Sequence, residues 1–338
     1  MTTPARTWQC LGVPIDCVAQ PGGTELAPDS LRHAGVGDGP PLIDLGDTRS
    51  RLRDPVRDHE TGVVAGEDVV GLTAELRERI AGRPEPQTPL LVLGGCCTLL
   101  PGVLGGLRHH GDDVALVYLD GHVDLYDGRT SPTGEAADMP LAVLLGLGPE
   151  PWLRAAGPWA RLQPSDITLL GPRDEDEARA NGSVLPSDLP GLRYLDAAHL
   201  KQSDRHKLAT AIAEDLTRRH GGGFWVHVDL DVLDESAFPA TDYLMPGGLD
   251  WPELTALLLP LTGAPACRGV SIACYNPVKD PDRRHGAVAE RGRDRPHGGL
   301  VPHRVPRRRH PAERLEPQLG RRPGAHAERG DGPAGGRR

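Results

Sequence analysis

Aromatic residues are scarce. Phe, Trp and Tyr make up 4% of the 338 residues, with only two Phe. A core must therefore be built from Leu, Val and Ala. No apolar run approaches the roughly 18 residues needed to cross a bilayer, so no membrane association is expected. The first ten residues lack the basic start and apolar stretch of a signal peptide, and a cytoplasmic protein is expected. The six cysteines, at 10, 17, 96, 97, 267 and 274, include no C-x-x-C pair. That argues against a zinc ribbon or a thioredoxin-type site, and a disulfide framework does not suit a chain of this size without a secretion signal. Gly94-Gly95 is not followed by a phosphate-loop G-K-[ST], and no G-x-S-x-G elbow occurs, which removes the P-loop and serine α/β-hydrolase readings.

Lysine is the other shortage, with only three in the chain. The formal charge of −9 is uneven. Residues 282–338 hold fifteen Arg and seven acids, a net of +8, which leaves −17 on residues 1–281. A body this acidic repels phosphate, so no nucleic-acid partner is expected. The tail has six Val or Leu and no Ile, Met or aromatic residue, too little to pack a core. It reads either as a disordered basic tail or as text out of the ancestral frame, since Arg/Pro/Gly-rich, Lys-free sequence is what GC-rich DNA gives out of frame. The expected division is 1–281 as one α/β domain and 282–338 as tail.

The body alternates short apolar runs with longer helical stretches. Strands are expected at Gln9–Ile15, Leu42–Leu45, Leu90–Leu93, Val114–Leu119, Ile167–Leu170, Leu192–Leu195, Phe224–Leu230 and Gly269–Tyr275. Helices are expected at Ala27–Ala34, Glu67–Ile80, Leu99–His109, Pro140–Leu147, Arg205–His220 and Trp251–Leu259. Several strands are continuously apolar, as strands covered on both faces are. The alternation predicts a three-layer α/β/α fold with a mostly parallel, roughly eight-stranded sheet. In such sheets the chemistry lies beyond the C-terminal strand ends.

Two acidic clusters fall at those ends. Asp120-Gly-His122-Val-Asp124 follows Val114–Leu119, and Asp229-Leu-Asp231 closes Phe224–Val228. In extended backbone, residues two apart point the same way, so each set can converge. Carboxylates gathered without a cation would repel and take up protons. One D-x-D at a strand end is ordinarily a loop cap; two, each behind an apolar strand, point to a metal site. Oxygen donors with an imidazole suit Mn²⁺ or Mg²⁺.

Asp120–Asp124 resembles the D-A-H-x-D motif of the ureohydrolase (arginase/agmatinase) family, with Gly121 for Ala. Val228–Leu249 is similar to that family's D-x-D-x-x-D-P segment and its following P-G-G-L. Gly94-Gly95-Cys96-Cys97-Thr98 stands where the family has G-G-D-H-S. Gly12-Val-Pro14, Gly22–Pro28 with Leu31-Arg32, and Tyr275-Asn276-Pro277 resemble further family features. The match runs in order over roughly residues 8–281. It implies a binuclear manganese hydrolase of a linear C–N bond in a guanidino or hydroxyguanidino compound. Two ions per chain would be held by Cys97, Asp120, His122, Asp124, Asp229 and Asp231, with Asp120 and Asp229 bridging. Water activated between the ions would attack the trigonal guanidinium carbon, and Asp124 would pass a proton to the leaving amine. Substrate contacts fall on Tyr126, Thr133, Glu135, Asp176 and Cys274. The resemblance also implies a homo-oligomer, a trimer or hexamer.

The chain departs from the pattern at several of these positions. Cys97 replaces the usual His ligand; a thiolate is softer and admits Zn²⁺ or Fe²⁺ there, though the residue also suits a small buried core position. The hydroxyarginine-hydrolysing branch shares this Cys and the D-G-H variant. Ala137 stands where arginases carry a proton-shuttling His, and Cys274 where they carry the Glu that grips the guanidinium. In Gly171-Pro-Arg173-Asp174-Glu-Asp176 the second Asp is kept, but Arg179 replaces an acid, and Tyr126 replaces an Asn that contacts the substrate carboxylate. These losses keep open a second reading, a ureohydrolase-fold binding or scaffold protein without turnover.

Overall fold

The computed structural model describes residues 6–36 and 41–282; the expected tail, beyond Asp282, lies outside them. Eight strands form one sheet: β1 (Trp8–Val13), β2 (Leu42–Asp47), β3 (Leu90–Gly94), β4 (Ala115–Leu119), β5 (Ile167–Leu170), β6 (Arg193–Leu195), β7 (Phe224–Asp229) and β8 (Cys267–Ala273). Their order is β2-β1-β3-β8-β7-β4-β5-β6, and every pairing is parallel. The expected three-layer architecture is therefore the one adopted.

Both faces of the sheet are covered, and the strands alternate between them with period two. On β4, Leu116 and Tyr118 pack into one core with α2 (Gly66–Ala81), α3 (Leu100–Leu107), α4 (Pro140–Leu144) and α5 (Glu150–Ala156). Ala115, Val117 and Leu119 pack into the other, with α1 (Ala27–His33), α8 (Arg205–Arg219) and α9 (Trp251–Gly263). β7 behaves likewise: Trp225 faces the first core, while Phe224, Val226 and Val228 face the second. With rings scarce, the cores are mainly Leu, Val and Ala. Helix α2 shows how patterning sets this up. Val69, Leu72, Thr73, Leu76 and Ile80 are buried at helical spacing, though Val70, expected on the same face, is only partly covered.

Three short helices go beyond the sequence-based expectation: α5, α6 (Glu175–Ala180) and α7 (Ala197–Gln202). Each has only six or seven residues, and none carries a continuous apolar run like that of the still shorter α4. Helix α9 also runs past its expected end at Leu259, through Pro260 to Gly263; a proline near a helix end removes one backbone bond without ending the last turn.

The strand order gathers distant loops. β8 and β7 lie between β3 and β4, so the loops leaving β3, β8, β7 and β4 emerge side by side. The turn after β3 packs tightly against the chain beyond β1. Gly95 N–H donates to the Val13 carbonyl at 3.0 Å, and its carbonyl accepts from Cys274 N–H at 2.7 Å. A Cβ on Gly95 would lie 1.7 Å from the Ile15 carbonyl oxygen, so only glycine permits this approach. Gly95→Ala is expected to lower stability by about 3 kcal/mol through forced overpacking. Urea unfolding with an unchanged m-value measures it, and a loss under about 0.5 kcal/mol would show that the turn relaxes freely.

Candidate metal centre

Four adjacent strand ends deliver the site. β3 leads to Cys97, β4 to Asp120 and His122, β7 ends at Asp229, and β8 leads to Cys274. The register sets them level: Leu119 pairs with Val228, and Asp229 with Ala273. Asp120, Asp229, Asp231 and Cys97 are each 3% exposed or less.

Their side chains interlock. His122 Nδ1 lies 3.0 Å from Asp231 Oδ2 and 3.6 Å from Asp120 Oδ1. Asp120 Oδ1 accepts from His122 N–H at 2.7 Å. Asp231 Oδ1 accepts from Gly121 N–H at 2.9 Å, and Asp229 Oδ1 from Asp231 N–H at 2.8 Å. The Cys97 thiol donates to Asp229 Oδ2 at 2.7 Å and lies 3.8 Å from Asp120 Oδ2. Arg173, in the loop after β5, clasps the β7 loop through the carbonyls of Asp231, Leu233 and Met245 at 2.7, 3.1 and 3.2 Å.

Asp124 sits apart from this knot. Its Oδ2 accepts from the Tyr118 hydroxyl, and its backbone is left-handed, with φ 49°. The residue is therefore not in line with Asp120 and His122, as an extended i, i+2, i+4 spacing would require. Cys274 is left-handed too, φ 62°. Two non-glycine residues held in this sparsely populated region at one site are the pattern expected where function dictates backbone geometry.

Charge is the dominant energetic feature. Burial, then the Asp231 charge, pushes the Asp120 carboxyl upward. Burial, then Asp231 and Asp120, raises Asp229. Burial and Asp120 raise Asp124. Asp231 goes the other way: burial, its largest single influence, would raise it, but the His122 charge and hydrogen bond, the Gly121 N–H and the Arg173 charge together hold it below the usual range. Desolvation and like charge thus oppose ionising all the carboxyls together. A divalent cation would remove that opposition. Three sets of donor atoms lie within 4.8 Å of one another: Asp120–His122–Asp231, Cys97–Asp120–His227 and Cys97–Asp229–Cys274. The donor chemistry fits a metal centre.

Of the anticipated ligands, Cys97, Asp120, His122, Asp229 and Asp231 are brought together, while Asp124 joins none of these sets. Above them opens a cleft of about 400 Å³, lined among others by Tyr126, Thr133, Ala137 and Cys274. Glu135 is buried beside it, accepting from Tyr243 OH at 2.6 Å and the Cys17 thiol at 3.1 Å. Asp176 is exposed on α6; the cleft is lined instead by its neighbours Asp174 and Glu177, together with Asp138 and Asp242. Burial lifts Asp174 to about 6. No Lys or Arg is among the described lining residues.

Sequence reasoning misses Tyr118 and His227. His227, on β7 two residues before Asp229, is fully buried. Its Nε2 is 3.1 Å from Cys97 Sγ and its Nδ1 2.7 Å from Ser271 Oγ; its ring stacks on Tyr118 at 4.8 Å. Burial depresses it to about 3, so the ring is neutral. The available signal is the two-residue spacing that places 227, 229 and the metal knot on one side of the strand.

Known proteins share this arrangement of elements. A sequence model of the arginase family matches residues 7–291. The arginase of Bacillus subtilis (strain 168) is 26% identical over 299 residues, covering 84% of this chain and 95% of that protein. The native structure of arginase from Bacillus caldovelox superposes with a TM-score of 0.72 at 22% identity, covering 84% of this chain and 95% of that one. Formimidoylglutamase from Bacillus subtilis superposes with a TM-score of 0.62 at 18% identity, covering 85% and 84%. At these identities the two structures speak for the fold.

The raised carboxyls give a pH-dependent signature. A carboxyl whose folded pKa lies above its unfolded value stabilises most below the unfolded value, and that contribution is lost as pH rises toward the folded value. Metal binding must displace those protons and the Cys97 proton. Adding Mn²⁺ or Zn²⁺ to metal-free protein near pH 6.5 should therefore release protons, and release should shrink as pH rises. Calorimetry in buffers of different ionisation enthalpy measures it. Binding with release no greater than the single Cys97 proton at any pH would show that the carboxyls are already ionised.

Proposed function

Because the chain belongs to the arginase family, we propose that it is a metal-dependent amidinohydrolase that cleaves a linear, non-peptide C–N bond in a guanidino or hydroxyguanidino compound. The observation that carries this reading is the convergence of Asp120, His122, Asp229, Asp231 and Cys97 beneath an open cleft. Manganese is the ion that the family resemblance favours, with Asp120 and Asp229 as the carboxylates shared between two positions. Divalent cations held there acidify water and stabilise the charge that develops at a trigonal carbon under attack.

The chain's own residues then have separable tasks. The acids Asp174, Glu177 and Asp242 along the cleft, with no lining Lys or Arg, attract a cationic substrate. Asp124, held at Oδ2 by the Tyr118 hydroxyl, takes a proton from water and gives it to the departing amine nitrogen. Glu135, fixed by Tyr243 and Cys17, holds these two cleft-lining side chains in place. Cys274, in place of the family's Glu, offers no carboxylate to a guanidinium, so a hydroxyguanidine, being less basic, loses less at this position than arginine does. Ala137 lines the cleft without any group to shuttle protons, which predicts slower turnover than an arginase with the His.

Ala137 and Cys274 also favour the rival reading, a ureohydrolase-fold protein that binds a ligand without turning it over. The two are separated by loading the folded protein with Mn²⁺, and in parallel with Zn²⁺. Retained metal is then counted, and release of urea or amine from guanidines and hydroxyguanidines is followed. Turnover with hydroxyguanidines ahead of arginine supports the proposal. A metal-loaded protein that releases nothing across that panel supports the rival. Asp229→Ala should strip the metal and lower turnover by at least about 100-fold, whereas full metal content in that variant would sink the bridging role of Asp229.

A further inference from the structure

Position 97 carries a thiol where the family pattern has an imidazole, yet an imidazole still reaches this spot from the neighbouring strand. We propose that His227 Nε2, Cys97 Sγ and the Asp120 carboxylate form a nitrogen–sulfur–oxygen position that takes zinc-class ions in strong preference to manganese, while the Asp120–His122–Asp231 position, with mainly oxygen donors, discriminates far less against manganese. The inference rests on the metal-centre reading and deepens it: the two halves of the centre differ in the metal they select.

Three observations carry it. The first is placement. His227 and Asp229 are two residues apart on β7, so they share a face of the strand, and the ring is wholly buried. Its Nε2, Cys97 Sγ and an Asp120 oxygen lie within 4.8 Å of one another. An ion about 2.0–2.3 Å from each donor spans such a triangle with small adjustments.

The second is orientation. A ligating imidazole is ordinarily steered by a partner on its other nitrogen. Here Ser271 Oγ lies 2.7 Å from Nδ1 and also accepts from Trp225 Nε1–H at 2.9 Å. A hydroxyl oxygen has two lone pairs, so it can accept from both rings, which leaves the Nε2 lone pair free to face an ion. Stacking on Tyr118 at 4.8 Å fixes the ring plane. Ser271, Trp225 and Tyr118 are positioning residues, since they touch the ring and not the ion.

The third is donor chemistry. Without an ion, Nε2 faces a sulfur, a weak hydrogen-bond partner for a fully buried ring nitrogen. With an ion, the thiol gives up its proton and both groups become strong donors. Thiolate with imidazole selects zinc-class ions, whereas carboxylates with one imidazole suit manganese. Cys97 also belongs to a second donor set, with Asp229 and Cys274, so the sulfur sits where the soft position meets the shared carboxylates.

The test uses the full-length protein with Co²⁺ as the spectroscopic probe for zinc, beside Zn²⁺ and Mn²⁺ binding measured by competition with a chelator. The unaltered protein should bind one equivalent of Co²⁺ or Zn²⁺ more tightly than Mn²⁺, and the cobalt form should show a thiolate-to-cobalt charge-transfer band. His227→Gln should weaken Zn²⁺ binding by at least about 100-fold and alter the cobalt spectrum, while Mn²⁺ binding at the second position stays within about threefold. Ser271→Ala, which leaves all donors in place, should weaken zinc by about tenfold. Where a variant fails to fold, X-ray absorption at the zinc edge of the unaltered protein decides: one sulfur with imidazole neighbours supports the site, and an all-oxygen and nitrogen shell overturns it. Zinc affinity unchanged in folded His227→Gln, or cobalt bound without a thiolate band, also overturns it. Each of these readouts concerns binding, so a protein that selects zinc through His227 but releases no product would fail the hydrolase reading and leave this one standing.

Discussion

The molecule is organised around the difficulty of keeping several carboxylates dry and close together. Asp120, Asp229 and Asp231 are buried within one hydrogen-bonded knot. Of these only Asp231 is held below the ordinary carboxylate range, where His122, the Gly121 N–H and Arg173 together overcome burial. Asp120, Asp124 and Asp229 are pushed toward the protonated form by burial and by neighbouring carboxylates. A packed core tolerates such groups when they are neutral or when a cation enters. A divalent ion at this spot would link folding to metal binding, because what makes these carboxyls costly to ionise together is what a cation would relieve.

The sheet creates this crowding through its order rather than through any single loop. A parallel sheet in which β8 and β7 separate β3 from β4 gathers four loops that are remote in sequence. Positions 97, 120, 229 and 274 become neighbours although they span most of the described chain. The central strands below are buried Leu, Val and Ala on both faces, which gives the loops a stiff platform. The strain at Asp124 and Cys274 is bearable for that reason. Each is anchored by a bond a loose loop could not guarantee: the Tyr118 hydroxyl for Asp124, and the Gly95 carbonyl for the Cys274 N–H.

The central strands are legible in the sequence because a doubly covered parallel strand leaves a continuous apolar run. The edge strands β2 and β6 are less covered, yet their shorter apolar runs also form strands. Helices α5, α6 and α7 are not legible: they are short and lack the continuous apolar run that reveals α4. At the site, Asp120, His122, Asp229 and Asp231 can be read as acidic clusters behind apolar strands, although β4 ends at Leu119 and Asp231 sits in the short Leu230–Val232 turn, so the turns and not an extended period bring them together. Asp124 departs further: the chain turns left-handed there, so an extended i, i+4 relation does not place it. Asp176 is a different case. Its expected role rests on resemblance alone, and the start of α6 leaves it exposed while Asp174 and Glu177 line the cleft. His227 is legible in principle. It lies inside an apolar run where one polar residue passes for core, although its two-residue offset from Asp229 puts it on the side of the metal knot.

The substitutions that set this chain apart are linked by charge. Exchanging the family's His for Cys97 turns a neutral donor into a thiolate once an ion is bound. Exchanging its Glu for Cys274 removes a carboxylate from the cleft floor. The floor thus gains one negative charge at 97 and loses one at 274, two residues whose donor atoms lie within 4.8 Å of each other. A cationic substrate approaching from a distance greater than that separation would meet nearly the same field, but it would lose the two oxygens that the family's Glu offers its nitrogens. Long-range attraction of a guanidino group survives such a change, whereas short-range recognition of its N–H edges does not. In the proposed hydrolase the exchange would relax selection for arginine while still admitting cationic C–N substrates, and His227 on β7 would offer the imidazole that position 97 lacks.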